Sequence, residues 1–156
     1  MDNSVSRSPL AGPLGALTLT GGLVVLDQVT KIAATQALRG VGAPLRNPDY
    51  AFGIIGGSPI VLALVAIAVL AGFVAVMVPL AARFQISAGI PALIAGGLLG
   101  NTLDRIRLGS VRDFIVVPGA IINVADVCVF AGLVGLVIAL VMHALSLDRA
   151  SESARS

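Results

Sequence analysis

Residues 59–80 read PIVLALVAIAVLAGFVAVMVPL, an apolar run that no charged side chain interrupts. At about 1.5 Å per residue, a helix of this length crosses the roughly 30 Å hydrocarbon core of a bilayer. The run therefore predicts a transmembrane helix. Three more transmembrane helices are predicted from the other apolar runs, at 14–38, 86–103 and 121–147. We predict an all-α integral membrane protein, a four-transmembrane-helix bundle.

The overall composition indicates lipid as the solvent of this chain. Of its 156 residues 57% are hydrophobic and 12% are charged, about half the charge of a typical soluble domain. The length suits one membrane domain, residues 1–156, and the polar ends at 1–12 and 148–156 are predicted to be disordered tails. The basic residues are scattered and form no run or aromatic platform, so nucleic acid is not an expected partner.

The connections between the helices are predicted to gather polar side chains at one membrane face. Four spans place both chain termini on one side, so the connections after the first and third helices lie together on the other. Ionisable groups near the bilayer are costly and are usually paired or functional. Basic residues occur on both sides, and charge alone leaves the orientation open. The gathered residues are Asp27, Lys31, Asn47, Asp104, Arg105, Asp113, Asn123 and Asp126.

The first apolar run has a second interpretation, a cleaved signal peptide. Small residues at 34–37 loosely match a cleavage site, but a signal peptide would have a shorter apolar region free of Asp27 and Lys31. These two residues lie one helical turn apart, and we predict that they form an ion pair.

Two Asn-x-x-Asp units stand out, Asn101 with Asp104 and Asn123 with Asp126. A spacing of three residues puts each pair on one helical face, so the amide can hydrogen-bond the carboxylate. For Asp104, the adjacent Arg105 or Lys31 across the bundle is the expected partner. A structural ion pair would explain Asp104 without any catalytic role.

Asp113 and Asp126 are candidates for chemistry. Two carboxylates brought close together in a low-dielectric site cannot both ionise easily, so they share a proton. Such a pair can activate water as a general base while protonating a leaving group. Helix caps or substrate contacts in a channel would account for the same residues, and the residues alone leave these alternatives open.

Other mechanisms fit the sequence less well. The single cysteine and the single histidine, Cys128 and His143, lie about 22 Å apart along one predicted helix and cannot meet within one subunit. One histidine also excludes zinc sites built from several histidines. A Ser110–Lys31 dyad remains geometrically possible. An ion or proton carrier with an aspartate relay would need charges along a pore, whereas here they gather at one face.

The ordered motifs of the chain resemble those of the lipoprotein signal peptidases, also called signal peptidase II. The resemblance covers the first through the fourth predicted helix in the family's order. The matching segments are DQVTK at 27–31, RN at 46–47 followed by AFG at 51–53, GGLLGNTLDR at 96–105, GSVRDF at 109–114 and NVAD at 123–126.

This resemblance implies a four-helix intramembrane aspartic peptidase with a small irregular or β-containing extracytoplasmic region after the first helix. It implies that Asp113 and Asp126 are the catalytic pair, and that no metal or organic cofactor is needed. It also assigns a set of substrate-binding or supporting residues, namely Asn47, Asn101, Asp104, Arg105 and Asn123, with Asp27 and Lys31 in the first-helix motif.

The resemblance also implies a substrate and a location. The substrate class is prolipoproteins that carry a diacylglyceryl group on a cysteine, with cleavage just before that cysteine to release the signal peptide. The expected partners are these signal peptides and membrane lipid, and a globomycin-type cyclic peptide is the expected inhibitor. The expected location is the cytoplasmic (inner) membrane, with a multi-pass topology and the active site near the outer leaflet. The alternative is a divergent non-catalytic paralogue that binds signal helices or lipid.

The sequence departs from the family pattern in the first loop and near the aspartates. Pro48, Asp49 and Tyr50 replace a small Thr-Gly-Ala stretch, Ile122 replaces a Phe, and the segment 113–126 is short. These departures bear on substrate range and leave the catalytic residues untouched. Because the first loop is long and glycine-rich between residues 40 and 58, we predict that it acts as a lid.

Overall fold

The computed structural model describes residues 13–38, 45–47, 58–84 and 86–153. The described elements are four helices and four short strands. In chain order they are α1 (Pro13–Ala37), β1 (Leu45–Asn47), α2 (Pro59–Arg83), α3 (Gly89–Leu108), β2 (Val111–Asp113), β3 (Ile115–Val117), β4 (Ala120–Ile122) and α4 (Val124–Ser153).

Three of the described helices are long and apolar enough to cross a membrane, over Leu14–Ala37, Leu64–Ala81 and Val124–Leu147. Their outer faces expose large apolar side chains such as Leu14, Ile60 and Phe130, each at least 70% exposed. Water would not tolerate so much apolar surface on a monomer, whereas lipid solvates it. The chain is therefore a mostly helical, multi-pass membrane protein.

Helix α3 lies at the centre of the bundle and packs against α1, α2 and α4. Its glycines allow this close approach. A Cβ at Gly96 would come within 2.9 Å of the Leu23 Cβ on α1, and a Cβ at Gly97 would overlap the Ala125 carbonyl oxygen of α4. Small residues at such contacts bring membrane helices together by close van der Waals packing. The glycines thus explain why α3 is both central and less apolar than its neighbours.

The bounds of α3 and α4 differ from those predicted from hydropathy. Helix α3 continues past residue 103 to Leu108, because Arg105 and Arg107 suit the negative end of the helix dipole. Gly109 then ends it in the left-handed conformation, with φ 68°. Helix α4 begins at Val124, since the preceding residues pair as β4.

The carboxyl end of α4 also differs from the sequence prediction. Residues 148–153, predicted to be part of a disordered tail, continue the helix to Ser153. They contain no glycine or proline that would stop it. The predicted tail at 1–12 lies outside the described residues. Of the predicted lid at 40–58, the structure describes residues 45–47 and 58, whereas Pro48, Asp49 and Tyr50 lie outside the described residues.

The strands form two small antiparallel ladders. β1 pairs with β2, with Arg46 opposite Arg112, and β3 pairs with β4 through a turn at Pro118 and Gly119. Gly119 has φ 82°, a conformation that glycine adopts without strain. The β1 strand confirms a β-containing region after the first helix. It also ties that region to the segment that joins α3 to α4.

Candidate active site

A cavity of about 440 Å³ lies between α2, α3 and α4. One part of its wall is apolar, and another part is polar. The apolar lining comes mainly from Ala66, Val69, Leu98, Val129, Phe130 and Leu133. The polar lining comes from Asn47, Asn101, Thr102, Arg105, Asp113 and Asp126. Both candidate aspartates therefore lie beside an apolar surface, which an apolar segment of a ligand could contact.

Asp113 is the last residue of β2 and is buried. Alternation along the strand sends Asp113 and Arg112 to opposite faces. The carboxylate accepts one hydrogen bond at each oxygen. Asn123 Nδ2 donates to Oδ1 at 2.6 Å, and Asn47 Nδ2 donates to Oδ2 at 3.3 Å. Two amide groups from β1 and from the start of α4 therefore hold Asp113 in the cavity wall.

Asp126 lies in the first turn of α4, where it forms a capping box with Asn123. The Asp126 backbone N–H donates to Asn123 Oδ1 at 3.0 Å, and the Asn123 backbone N–H donates to Asp126 Oδ2 at 3.1 Å. This reciprocal pair satisfies two backbone donors at the helix start. Asn101 Nδ2 from α3 donates to the other oxygen, Oδ1, at 2.8 Å.

Asp113 and Asp126 line the same cavity. Asn123 connects them, because its side chain caps the helix that carries one and bonds the carboxylate of the other. Each carboxylate oxygen has two lone pairs and receives one of these N–H groups, so acceptor capacity remains for a water molecule. The arrangement can therefore hold water between two carboxylates.

A second polar cluster lies beside the cavity and consists of Asp27, Lys31, Asp104 and Arg112, which we call the ion cluster. Lys31 Nζ is 2.8 Å from Asp27 Oδ2 and 3.5 Å from Asp104 Oδ2. Arg112 Nη2 is 2.7 Å from Asp104 Oδ1, while its Nε donates to Oδ2 at 3.2 Å. Gln28 donates to both aspartates. The cluster contains two anions and two cations, and so its formal charges balance.

The ion cluster contacts two residues beside Asp126, namely Asn101 and Ala125. Lys31 Nζ donates to Asn101 Oδ1 at 2.8 Å, on the opposite end of the amide from Asp126. Asp27 Oδ1 accepts the backbone N–H of Ala125 at 3.0 Å, in the first turn of α4. Gly100 leaves room for this carboxylate, since a Cβ there would lie 2.6 Å from Asp27 Oδ2.

The structure brings together all nine residues that the sequence singled out. The predicted ion pair between Asp27 and Lys31 is confirmed at 2.8 Å. The predicted pairing of Asp104 with Lys31 is confirmed at 3.5 Å, and Asp104 also forms a shorter ion pair, at 2.7 Å, with Arg112, which the sequence did not predict. Arg105 instead lines the cavity, and its Nη1 donates to the Asn101 backbone carbonyl at 3.4 Å.

The predicted bond from each asparagine side-chain amide to the aspartate three residues on is not found among the described residues. Asn123 Nδ2 donates to Asp113, and Asn101 Nδ2 donates to Asp126. Asn123 and Asp126 do bond each other through their backbone N–H groups, although Asn123 is the cap of α4 rather than part of the helix. Asn101 bonds Lys31 and Asp126 instead of Asp104. The reason is that α4 and α1 approach α3 closely enough to offer Asn101 better-placed partners than its own helix does.

The residues of the other mechanisms do not form the pairs that those mechanisms need. His143 packs edge-on against Phe84, with ring centroids 5.0 Å apart, and Cys128 is buried on α4. Ser110 is buried. Among the described residues its Oγ has no hydrogen-bond partner, so it does not bond Lys31. Within those same ranges, no three His, Cys, Asp or Glu side chains are placed to hold one metal ion.

Sequence reasoning missed Arg112 and Gln28. Gln28 stands inside the DQVTK segment, where its position one residue after Asp27 was the available signal. Arg112 had no such signal, because its neighbour Asp113 was the obvious acidic partner. Arg112 and Asp113 are neighbours on the short strand β2, where successive side chains point to opposite faces. The Arg112 side chain therefore reaches Asp104 on α3.

The fold and the site define a multi-pass helical membrane protein with two aspartates in one cavity. Residues 19–142 match the family model for signal peptidase (SPase) II. A lipoprotein signal peptidase of Leifsonia xyli is 33% identical, over 93% of this chain and 80% of its own length. Another, of Pseudomonas fluorescens, is 36% identical over 75% of this chain and 76% of its own. The chain belongs to the signal peptidase II family.

A solved structure supports the fold independently. A structure titled as a bacterial membrane enzyme, determined by the in meso method at 2.3 Å resolution, has a TM-score of 0.67 to this chain. It covers 83% of this chain and 89% of its own, with 24% sequence identity. The family match and this likeness of fold together confirm the resemblance inferred from the motifs.

Proposed function

We propose that this chain is an intramembrane aspartic endopeptidase that removes signal peptides from diacylglyceryl-modified prolipoproteins. Cleavage falls just before the lipid-modified cysteine. The observation that carries the aspartic mechanism is the shared position of Asp113 and Asp126 in one cavity, each held by two N–H groups. The family match supports the peptidase class and its lipoprotein substrates.

The proposed mechanism uses the two carboxylates and one water molecule. Asp113 and Asp126 hold one proton between them, because two adjacent carboxylates cannot both ionise easily. The ionised member removes a proton from the water as its oxygen attacks the peptide carbonyl. The protonated member donates a hydrogen bond to the developing oxyanion, which stabilises the tetrahedral intermediate. A proton then passes to the leaving amine, and the C–N bond breaks.

The amide groups around the aspartates support this mechanism because they are neutral. They fix the direction of each carboxylate without adding a full positive charge that would hold both in the ionised form. Asn47, Asn101 and Asn123 would thus be supporting residues. Arg105, which also lines the cavity, is suited to bind a backbone carbonyl of the substrate through its guanidinium.

The apolar lining of the cavity supports a lipid-anchored, largely apolar substrate. The walls contributed by α2 and α4 are built from aliphatic side chains and Phe130. A signal peptide offers an apolar segment of comparable chemistry, and because that segment comes from lipid rather than water, close van der Waals packing against the wall would favour its binding. Membrane lipid and a globomycin-type cyclic peptide would compete for the same surface.

We also propose a topology. All four helices cross the membrane within one domain, with α3 as the fourth span because its partners shield its polar residues from lipid. The strands and the aspartates then lie together near one membrane face. In the cytoplasmic (inner) membrane of a bacterium, that face is the outer leaflet, where prolipoprotein signal peptides are cleaved.

The proposal is tested by a gel-shift processing assay on a lipidated prolipoprotein in detergent or membranes. Asp113→Asn and Asp126→Asn keep the side-chain shape but cannot share an acidic proton. Loss of general acid–base catalysis typically costs about 10²- to 10⁴-fold in rate, so we expect both variants to be inactive in this assay. Asp148→Asn is the matched control, because it removes an acid at the far end of α4, about 33 Å from Asp126.

The outcomes separate the alternatives. Cleavage by wild type and Asp148→Asn, with both site variants folded and inactive, supports the aspartic peptidase. Failure of wild type on several good substrates would favour a paralogue that binds signal helices or lipid without cutting. Cleavage that persists in both site variants would show that the aspartates were assigned wrongly, and Ser110 with Lys31 would be examined next.

A further inference from the structure

The ammonium group of Lys31 has three possible acceptors in the structure. It lies 2.8 Å from Asp27 Oδ2, 2.8 Å from Asn101 Oδ1 and 3.5 Å from Asp104 Oδ2. Lys31 is fully buried, with 0% of its side chain exposed, so water cannot substitute for any of these partners. Asn101 is the one neutral partner of the three, and the ammonium has one N–H donor for each of them.

Asn101 is oriented by this contact. Its Oδ1 accepts from Lys31, which leaves Nδ2 to donate to Asp126 Oδ1 at 2.8 Å. A flipped amide would place NH₂ against an ammonium and an oxygen against a carboxylate, and both contacts would be repulsive. The position of Lys31 therefore determines whether Asp126 receives its hydrogen bond from α3.

Arg112 decides how strongly Asp104 attracts Lys31. The guanidinium binds Asp104 through Nη2 at 2.7 Å and Nε at 3.2 Å, and the Arg112 backbone N–H adds a third bond at 3.1 Å. Two-point arginine–carboxylate contacts are among the strong hydrogen-bonding arrangements in proteins. With Asp104 satisfied in this way, Lys31 stays with Asp27 and Asn101.

We infer that Arg112 is a positioning residue for catalysis, which acts by neutralising Asp104 and thereby keeping Lys31 bonded to Asn101. Without Arg112, Asp104 is a buried carboxylate whose nearest cation is Lys31. The 3.5 Å contact then shortens at the expense of Asn101, and Asp126 loses a directed donor. Arg112 touches neither aspartate of the catalytic pair through its side-chain bonds, so its effect passes through two other residues. This inference rests on the proposed function, because it concerns the reactivity of Asp126.

The test is a double-mutant cycle in the full-length protein, with Arg112→Met, Asp104→Asn and the two combined. For Arg112→Met we expect kcat on a lipidated prolipoprotein to fall by about 100-fold, the size of effect that misplacement of a reacting group produces. KM should change little, because Arg112 is not part of the cavity lining. In the double variant no unneutralised carboxylate remains to attract Lys31. We therefore expect it to recover about tenfold of the loss, within the range for residues of one ion-pair network.

A merely structural role predicts a different pattern. If the pair only anchors β2 to α3, the double variant lacks the anchor as fully as Arg112→Met does, and its kcat stays as low. That result would overturn the inference, and so would a wild-type kcat in Arg112→Met. Should Arg112→Met fail to fold, Arg112→Gln replaces it, because glutamine keeps a donor to Asp104 without the charge. The same rescue by Asp104→Asn is expected.

A spectroscopic measurement tests the inference without catalysis. The chain has four asparagines, at 3, 47, 101 and 123, so ¹⁵N labelling of asparagine side chains gives few signals. Asn101→Asp identifies the signal of Asn101. We expect its NH₂ protons to exchange with water several-fold faster in Arg112→Met and at the wild-type rate in the double variant. An unchanged exchange rate would overturn the inference, whereas absence of cleavage by wild type would overturn only the proposed function.

Discussion

Asp27 and Asp104 lie in the same bundle as Asp113 and Asp126, yet the two pairs of aspartates have different partners. The first pair is bonded to an ammonium and a guanidinium in the ion cluster. The second pair is bonded to amide and backbone N–H groups at the cavity. A cation beside a carboxylate holds it in the charged form, whereas a neutral donor mainly fixes its direction.

Under the proposed mechanism, this difference separates structural from reactive carboxylates within one membrane protein. A buried carboxylate that must stay charged needs a full countercharge, because the low dielectric makes an unpaired charge very costly. A carboxylate that must gain and lose a proton needs a site in which neither form is fixed. The three mutational experiments below test whether the two pairs of aspartates differ in this way.

The largest expected effect comes from removing a cation of the ion cluster. Lys31→Met leaves two buried carboxylates, Asp27 and Asp104, with Arg112 as their remaining cation. Breaking a buried pair in this way typically costs about 3–5 kcal/mol, so we expect the free energy of unfolding to fall by that amount. Cys128 is buried and is the single cysteine, so a thiol-reactive fluorophore reports unfolding directly.

The control for this experiment is the double variant Lys31→Met with Asp27→Asn, which removes the anion together with its cation. We expect it to be more stable than Lys31→Met alone. A Lys31→Met protein as stable as wild type would mean that the ion cluster does not need its charges balanced. The contrast between the two aspartate pairs would then be lost.

A smaller effect is expected from crowding the ion cluster. A Cβ at Gly100 would lie 2.6 Å from Asp27 Oδ2, so Gly100→Ala must displace a carboxylate that also bonds Lys31 and the start of α4. Overpacking of this kind costs about 1–3 kcal/mol. The same thiol assay measures the loss of stability, and the processing assay measures the loss of activity.

The matched control is Gly72→Ala, since a Cβ at Gly72 meets nothing within 4 Å. Alanine there should be neutral or should stabilise α2 by up to about 1 kcal/mol through helix propensity. Equal effects of the two substitutions would show that the close fit of Gly100 to Asp27 is unimportant.

The smallest expected effect on stability concerns the catalytic side of the comparison. Asn123→Ala removes both the cap of α4 and the amide donor to Asp113, and loss of a cap costs about 1 kcal/mol. Asn123→Ser keeps a capping oxygen but lacks the donor to Asp113. We expect serine to preserve the unfolding temperature and to lower kcat as much as alanine does. A serine variant with full activity would argue that the amide donor to Asp113 is dispensable.

Hydropathy predicted the helices because a helix that faces lipid requires a long run of apolar residues, which is visible in the sequence. The apolar run at 59–80 corresponds to α2, and the run at 14–38 corresponds to α1 with Asp27 and Lys31 inside it. The end of α3 was harder to predict, because its last turn is polar and yet helical. Residues 148–153 were misread for the same reason, since a polar helix extending from a membrane span has no apolar pattern to mark it.

The choice of partners could not be predicted, even where the residues could. Spacing along a helix suggested Asn101 with Asp104, but the actual bonds depend on how α1, α3 and α4 approach one another. Arg112 shows the limit most clearly. It adjoins Asp113 in sequence, and a strand of three residues sends its side chain to Asp104 instead. Such short strands carry almost no sequence signal.

The bond between Asp27 and the Ala125 backbone N–H joins positions 98 residues apart. During synthesis α1 leaves the ribosome first, and its carboxylate lacks this partner until the start of α4 has been made. The Asp27 carboxylate on α1 thus enters the bilayer before its backbone donor on α4 has been made. Docking of α4 then gives the Asp27 carboxylate its backbone donor and brings Asp126 to Asn101 in the same movement. A nascent chain stopped before α4 therefore lacks both this bond and Asp126, so under the proposed mechanism it cannot cleave until the final helix is in place.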